Sequence, residues 1–155
     1  MTQIKFGTDG WRAIIAQEYT VDNVARVAAG TATFLKERGQ DHVVIGFDCR
    51  FAGRLFAETT ARVLCAQGCR VSMAEEFVST PMVSLGVLKL DADLGVVITA
   101  SHNPPSYNGY KLKSSYGGPT IPRDIAAVEA LIPDEVPSMG ASFDHYVEQE
   151  QVTFV

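Results

Sequence analysis

Residues 96–113 read VVITASHNPPSYNGYKLK. With Leu94-Gly95 in front, LGVVITA (94–100) is the strongest strand signal in the chain, apolar and rich in β-branched residues. It breaks at Ser101-His102-Asn103, and Pro104-Pro105 bars an immediate helix. Asn108-Gly109 is a common turn signal, and Gly109 tolerates positive φ. Tyr110-Lys111-Leu112-Lys113 then alternates, so Tyr110 and Leu112 can face a core while Lys111 and Lys113 share the other side. A buried strand followed by a hairpin-like return organises everything around it.

Upstream, Thr20 or Asp22 can cap a helix carrying Val24, Val27, Ala28, Thr31, Phe34 and Leu35 on one face, with Gly39 as its C′ residue. HVVIGFD (42–48) reads as a buried strand. A helix through Leu55, Phe56, Thr59, Val63 and Leu64 follows and is stopped by Gly68; RVSMAEE (70–76) is a weaker strand. Ser79-Thr80-Pro81 opens a third helix, and Ile121-Pro122 a fourth through Ile125, Val128 and Leu131, ended by Pro133. Strands alternating with helices imply an α/β layered sandwich with largely parallel strands. Residues 1–133 read as one domain. The tail 134–155, with Pro137, Gly140 and mixed charges, reads as an interdomain linker cut short before further domains; an ordinary terminal strand is the alternative.

The 155 residues are 46% hydrophobic and 20% charged, enough to bury a core. A net charge of −5 and a pI of 5.1 argue against nucleic-acid and membrane-surface binding. No apolar run approaches the roughly 18 residues that span a bilayer, and the start, MTQIKFGTDGW, lacks a secretion signal. A cytoplasmic location is expected. Cys49, Cys65 and Cys69 read as free structural thiols; His42 and His145 are not spaced to complete a metal site with them.

In a parallel α/β sheet, ligands gather outside the carboxyl ends of the strands, which is where Ser101 falls. Three readings compete. A hydrolase nucleophile needs an activating base and usually a G-x-S-x-G elbow; the flanks here are T-A-S-H-N, and adjacent side chains on extended backbone diverge. A plain polar loop fits the turn signals. A phosphoryl carrier needs cations nearby, because a phosphate brings close to two negative charges. Lys111 can face the serine if Asn108-Gly109 turns the chain back, and His102 can donate to the phosphate or move protons. FGTDGWR (6–12) is a glycine-flanked turn presenting Asp9 and Arg12, and GFDCRFAGR (46–54) puts Arg50 and Arg54 beyond a strand end on the same edge.

The chain resembles the N-terminal domain of the α-D-phosphohexomutases, the phosphoglucomutase/phosphomannomutase family. The resemblance rests on FGTDGWR, GFDCR, STP (79–81) and TASHNPPSYNGYK (99–111), in family order across Ile4 to about Ile132. It implies a three-layer α/β/α sandwich with a mostly parallel mixed sheet. It implies that Ser101 is the phosphoserine, that its phosphate is a ligand of an essential Mg²⁺, that Arg12 and Lys111 are cations beside it, and that His102 handles protons. The substrates implied are a hexose phosphate, of glucose or mannose, and the hexose 1,6-bisphosphate. The metal loop, sugar reader and phosphate clamp belong to the second, third and fourth domains, which are absent from this sequence. The chain alone is therefore expected to be inactive; a non-catalytic binding domain of the same fold is the alternative.

Overall fold

The computed structural model of the chain describes residues 2–7 and 10–155. The strands are β1 (Trp11–Ile14), β2 (His42–Phe47), β3 (Arg70–Met73), β4 (Leu94–Ile98), β5 (Tyr107–Ser114) and β6 (Val152–Phe154). The helices are α1 (Val21–Lys36), α2 (Gly53–Ala66), α3 (Thr80–Lys89), α4 (Pro122–Ala130) and α5 (Phe143–Glu148). Local signals fix several ends. The Thr20 side chain caps α1 by accepting from the Asn23 amide at 3.2 Å, and Gly39 takes φ +66° just beyond that helix. Prolines open α3 and α4, where no intrahelical donor is lost.

The six strands form one mixed sheet in the order β1-β5-β4-β2-β3-β6. Strands β4, β2, β3 and β6 are parallel; β5 runs antiparallel to β4 and β1 antiparallel to β5. The carboxyl ends of β2, β3 and β4 thus open on one edge. Alternate residues feed two cores. Val43, Ile45, Phe47, Val96 and Ile98 pack with the α1, α2 and α4 side chains Val24, Val27, Leu35, Leu64 and Val128. Val44 and Val97 pack with Val83 and Val87 of α3 on the opposite face. Helices cover both faces, giving the three-layer α/β/α sandwich, and each fully buried branched side chain contributes roughly 1.5–3 kcal/mol. The α3 layer lies close because two sheet positions have no side chain. A Cβ on Gly46 would collide with Val83 Cγ2, and one on Gly95 would fall 2.7 Å from Val87 Cγ2.

Two expectations change. Asn108-Gly109 is not a turn: both residues lie inside β5, paired with Ala13 and Arg12 of β1. The tail is not a free linker, because it carries α5 and β6. Val152 is buried, β6 pairs in parallel with β3, and Gln151 Nε2 donates to the carbonyls of Cys65 (2.8 Å) and Cys69 (2.9 Å). Residues 152–154 form a strand, since the apolar positions Tyr146 and Val152 can be buried against α2 and the edge of β3. Among the described residues, no helix is long and apolar enough to cross a membrane.

Candidate active site

Strand β4 delivers Ser101 to the carboxyl edge of the sheet. The ladder with β5 runs one residue past β4, with Thr99 N donating to Gly109 O at 3.0 Å. The chain then turns sharply, and Ser101 takes φ +53° with its side chain exposed. A left-handed non-glycine residue costs of order 1–2 kcal/mol, so the surroundings must impose it. They do so from two sides. The Ser101 amide donates to Thr99 Oγ1 at 3.1 Å, and Thr99 Oγ1 donates to Asp48 Oδ2 at 2.5 Å at the end of β2. Asn103 N donates to Ala100 O and Tyr107 N to Pro104 O, each at 3.0 Å, so the return is two tight turns between residues 100 and 107.

Arg50 closes the loop. Its Nη1 donates to Pro104 O (2.8 Å) and Tyr107 O (3.0 Å), and its Nη2 to Ser101 O (2.8 Å) and Asn103 O (2.7 Å). Its Nε lies 3.7 Å from Asp48 Oδ2. The sequence expectation grouped Arg50 with the phosphate-facing cations; the structure commits it to carbonyl oxygens. Arg54 turns elsewhere, to Glu58 Oε1 (2.9 Å) and Glu75 O (3.1 Å).

Of the residues singled out from sequence, Arg12 joins the loop directly, with Nη1 donating to Asn103 Oδ1 at 2.7 Å. Strand β1 places Arg12 opposite Gly109, so Arg12 and Lys111 stand on one sheet face, with Lys111 further along β5. Lys111 is buried, its stem beside Gly10, while Tyr110 and Leu112 enter the core as their alternation predicts. His102 is exposed, its Nδ1 3.5 Å from Ser101 Oγ, the outer limit of a hydrogen bond. Asp9 lies outside the described residues.

Gly109 explains how Arg12 and the loop come together. A Cβ there would meet Thr99 O at 2.5 Å, Trp11 O at 2.9 Å and Arg12 Cγ at 3.1 Å, so only a glycine lets β1 and β4 flank β5 this closely. From behind, Tyr19 OH donates to Gly109 O at 2.7 Å. Burial, with smaller effects of Tyr110 and Asp48, holds that phenol well above its ordinary pKa, so Tyr19 acts as a neutral prop. Asp48, Thr99 and Asn103 carry the loop yet escaped the sequence reading. The signal for Asp48 and Thr99 was their position at the ends of adjacent parallel strands.

The arrangement offers an exposed hydroxyl at the ligand edge, a backbone that fixes its direction, and an arginine tied to the same loop. Together with the sheet order, this places an exposed serine at the carboxyl edge of an α/β/α domain. The chain belongs to the phosphoglucomutase/phosphomannomutase family: residues 3–138 match that family's alpha/beta/alpha domain I. It is 37% identical over 123 residues to the phosphoglucomutase of Staphylococcus saprophyticus, covering 77% of this chain and 22% of that protein. It is 39% identical over 129 residues to the phosphoribomutase of Saccharomyces cerevisiae, covering 78% and 21%. The crystal structure of a putative phosphomannomutase from Thermus thermophilus matches with a TM-score of 0.86 and 40% identity, over 88% of this chain and 31% of that one. The chain thus spans between 21% and 31% of the length of these relatives.

Proposed function

We propose that the chain supplies the phosphoserine-bearing domain of a sugar-phosphate mutase. The observation that carries this is Ser101, exposed and strained at the carboxyl end of β4, with Arg12 bonded to the same loop. In the cycle, the phosphate on Ser101 passes to a hydroxyl of a hexose phosphate of glucose or mannose. The Ser101 Oγ–P bond breaks, a sugar O–P bond forms, and the sugar hydroxyl proton ends on Ser101 Oγ. The bisphosphorylated sugar turns over in the site. Its other sugar O–P bond then breaks, that phosphate returns to Ser101 Oγ and the serine proton passes to the freed sugar oxygen, so the net change is a phosphoryl shift between C1 and C6. Relatives named for glucose, mannose and ribose phosphates support a sugar-phosphate substrate of this kind.

Phosphoryl transfer depends on positioning and charge neutralisation. Arg12 and Lys111 are the cations assigned to the phosphate, and His102, beside Ser101 Oγ, the group assigned to the proton. Mg²⁺ would supply further neutralisation. Among the described residues, no three His, Cys, Asp or Glu side chains are grouped to hold a metal, and the Asp48 carboxylate is engaged by Thr99. The phosphate on Ser101 is the ligand this chain would offer Mg²⁺, and the remaining ligands would come from outside it.

The test pairs two measurements. The 155-residue chain alone should not convert glucose 1-phosphate with Mg²⁺. In the polypeptide that also carries the remaining domains, Ser101→Ala should lower turnover by roughly 10³-fold or more without loss of fold. Near-normal turnover of that variant would remove Ser101 from the mechanism and favour a non-catalytic binding domain.

A further inference from the structure

The geometry points to Arg50 as the positioning residue of the Ser101 loop: its guanidinium sets the serine's conformation through four loop carbonyls and leaves phosphate binding to other cations. The inference rests on the mutase reading only for what the loop is for.

An arginine beside a phosphate-bearing serine invites assignment as the phosphate's counter-ion. The donors of Arg50 are already engaged. A guanidinium has five N–H donors. Each terminal nitrogen of Arg50 serves two carbonyls, those of Ser101, Asn103, Pro104 and Tyr107, and Nε faces the Asp48 carboxylate. No donor is left to turn toward Ser101 Oγ unless a loop carbonyl loses its own. The side chain is also largely enclosed, at 13% exposure. The four carbonyls span both turns of the return, so one rigid fork fixes how the first turn sits on the second. A lysine ammonium has the charge but is a point donor with three protons, and it has no fork to span them.

The anchoring is two-sided. Asp48 receives the Arg50 amide at 3.1 Å and the Thr99 hydroxyl at 2.5 Å, and Thr99 receives the Ser101 amide. Arg50 therefore holds the Ser101 carbonyl while Asp48, acting through Thr99, holds the Ser101 amide. Peptide groups on both sides of one residue are fixed, which is what imposing φ +53° on a serine requires.

Residue-resolved amide exchange on the chain tests this directly, with Arg50→Lys and Arg50→Ala beside the parent. Both variants should speed exchange at Ser101, Asn103 and Tyr107 by about tenfold or more, while amides inside β2 and β4 keep their protection. Methylguanidinium should slow exchange again in Arg50→Ala. Parent-like protection in Arg50→Lys would mean that charge alone suffices and would overturn the inference. Uniform loss of protection, or failure of Arg50→Lys to fold, would overturn it too, since Arg50 would then serve the fold and not the loop. A second arm follows phosphate uptake on Ser101 by intact mass, using glucose 1,6-bisphosphate and Mg²⁺ with the multidomain polypeptide. Arg50→Lys should lower the rate at saturation with the half-saturating concentration unchanged; a counter-ion role would raise that concentration and refute the assignment. If the parent took up no phosphate, the mutase reading would fail while the exchange result still decided the role of Arg50.

Discussion

Thr99 gives its hydroxyl proton to Asp48 and so turns a lone pair toward the amide of Ser101, at 2.5 Å and 3.1 Å. The bond between Thr99 and Asp48 ties the ends of two adjacent parallel strands, and the serine's backbone depends on it. Thr99→Val keeps the shape and removes both bonds, and it should cost about 1–3 kcal/mol in urea unfolding. Thr99→Ser should stay near the parent. Equal stability of the valine variant would show that the relay has no energetic weight.

Gly109→Ala should be costly for a different reason. The new Cβ would press on two backbone oxygens, of Thr99 and Trp11, which cannot move without parting β5 from its neighbours. A loss of about 3 kcal/mol is expected, read as a lower thermal midpoint. Gly86→Ala is the control, since a Cβ there meets only Val44 Cγ1, at 3.4 Å, inside α3. It should gain about 0.5–1 kcal/mol.

Ser101→Gly relieves the positive φ, whereas Ser101→Ala keeps it. The glycine variant should therefore be more stable than the alanine variant by roughly 0.5–1 kcal/mol in paired denaturant titrations, although glycine gains more entropy on unfolding. The reverse order would mean that the loop does not impose this conformation.

His42 should make stability depend on pH. Its Nε2 bonds with Ser72 Oγ at 2.8 Å in a buried setting. Burial, then the Arg70 guanidinium, holds the imidazole below its usual 6.5, against the opposite pull of Asp93, Asp41 and the Asp91 carbonyl. The unfolded chain thus binds a proton that the folded one refuses. The stabilisation is full above pH 6.5 and falls as pH drops below it toward the depressed value. His42→Gln should flatten the stability profile in that range, and an unchanged slope would rule His42 out as its source.

The three thiols should separate in native alkylation. Burial first pushes Cys65 up to about 12 and Cys69 up to about 11, whereas Cys49 is exposed. The thiolate is the nucleophile, so iodoacetamide near neutral pH should modify Cys49 first and the other two only as the chain unfolds. Fast modification of two thiols in the folded protein would contradict this packing.

The layers were readable because their signals are local: the β-branched runs of β2 and β4, the Thr20 cap, and the prolines that open α3 and α4. The alternation in β5 sorted Tyr110 and Leu112 from Lys111 correctly. What failed was local inference about non-local contacts. Asn108-Gly109 has turn chemistry, but Gly109 is required by the approach of β1 and β4, residues far away in sequence. Arg50 looked like a phosphate ligand because carbonyl and phosphate oxygens accept the same donors. Only the folded loop shows which oxygens are there. Arg12 was found as a residue, but its bond to Asn103 depends on β1 lying two strands from β4.

The pairing of β6 with β3 sets a schedule for synthesis. Gln151 follows Cys69 by 82 residues, so the edge of β3 emerges from the ribosome long before its partner strand exists. Until then β3 is the edge, and its N–H and C=O groups can recruit another chain; afterwards the edge is the three-residue β6, a shorter template. Covering of the β3 edge is thus a long-range event, and slowing translation before residue 152 should lengthen the interval in which that edge can aggregate.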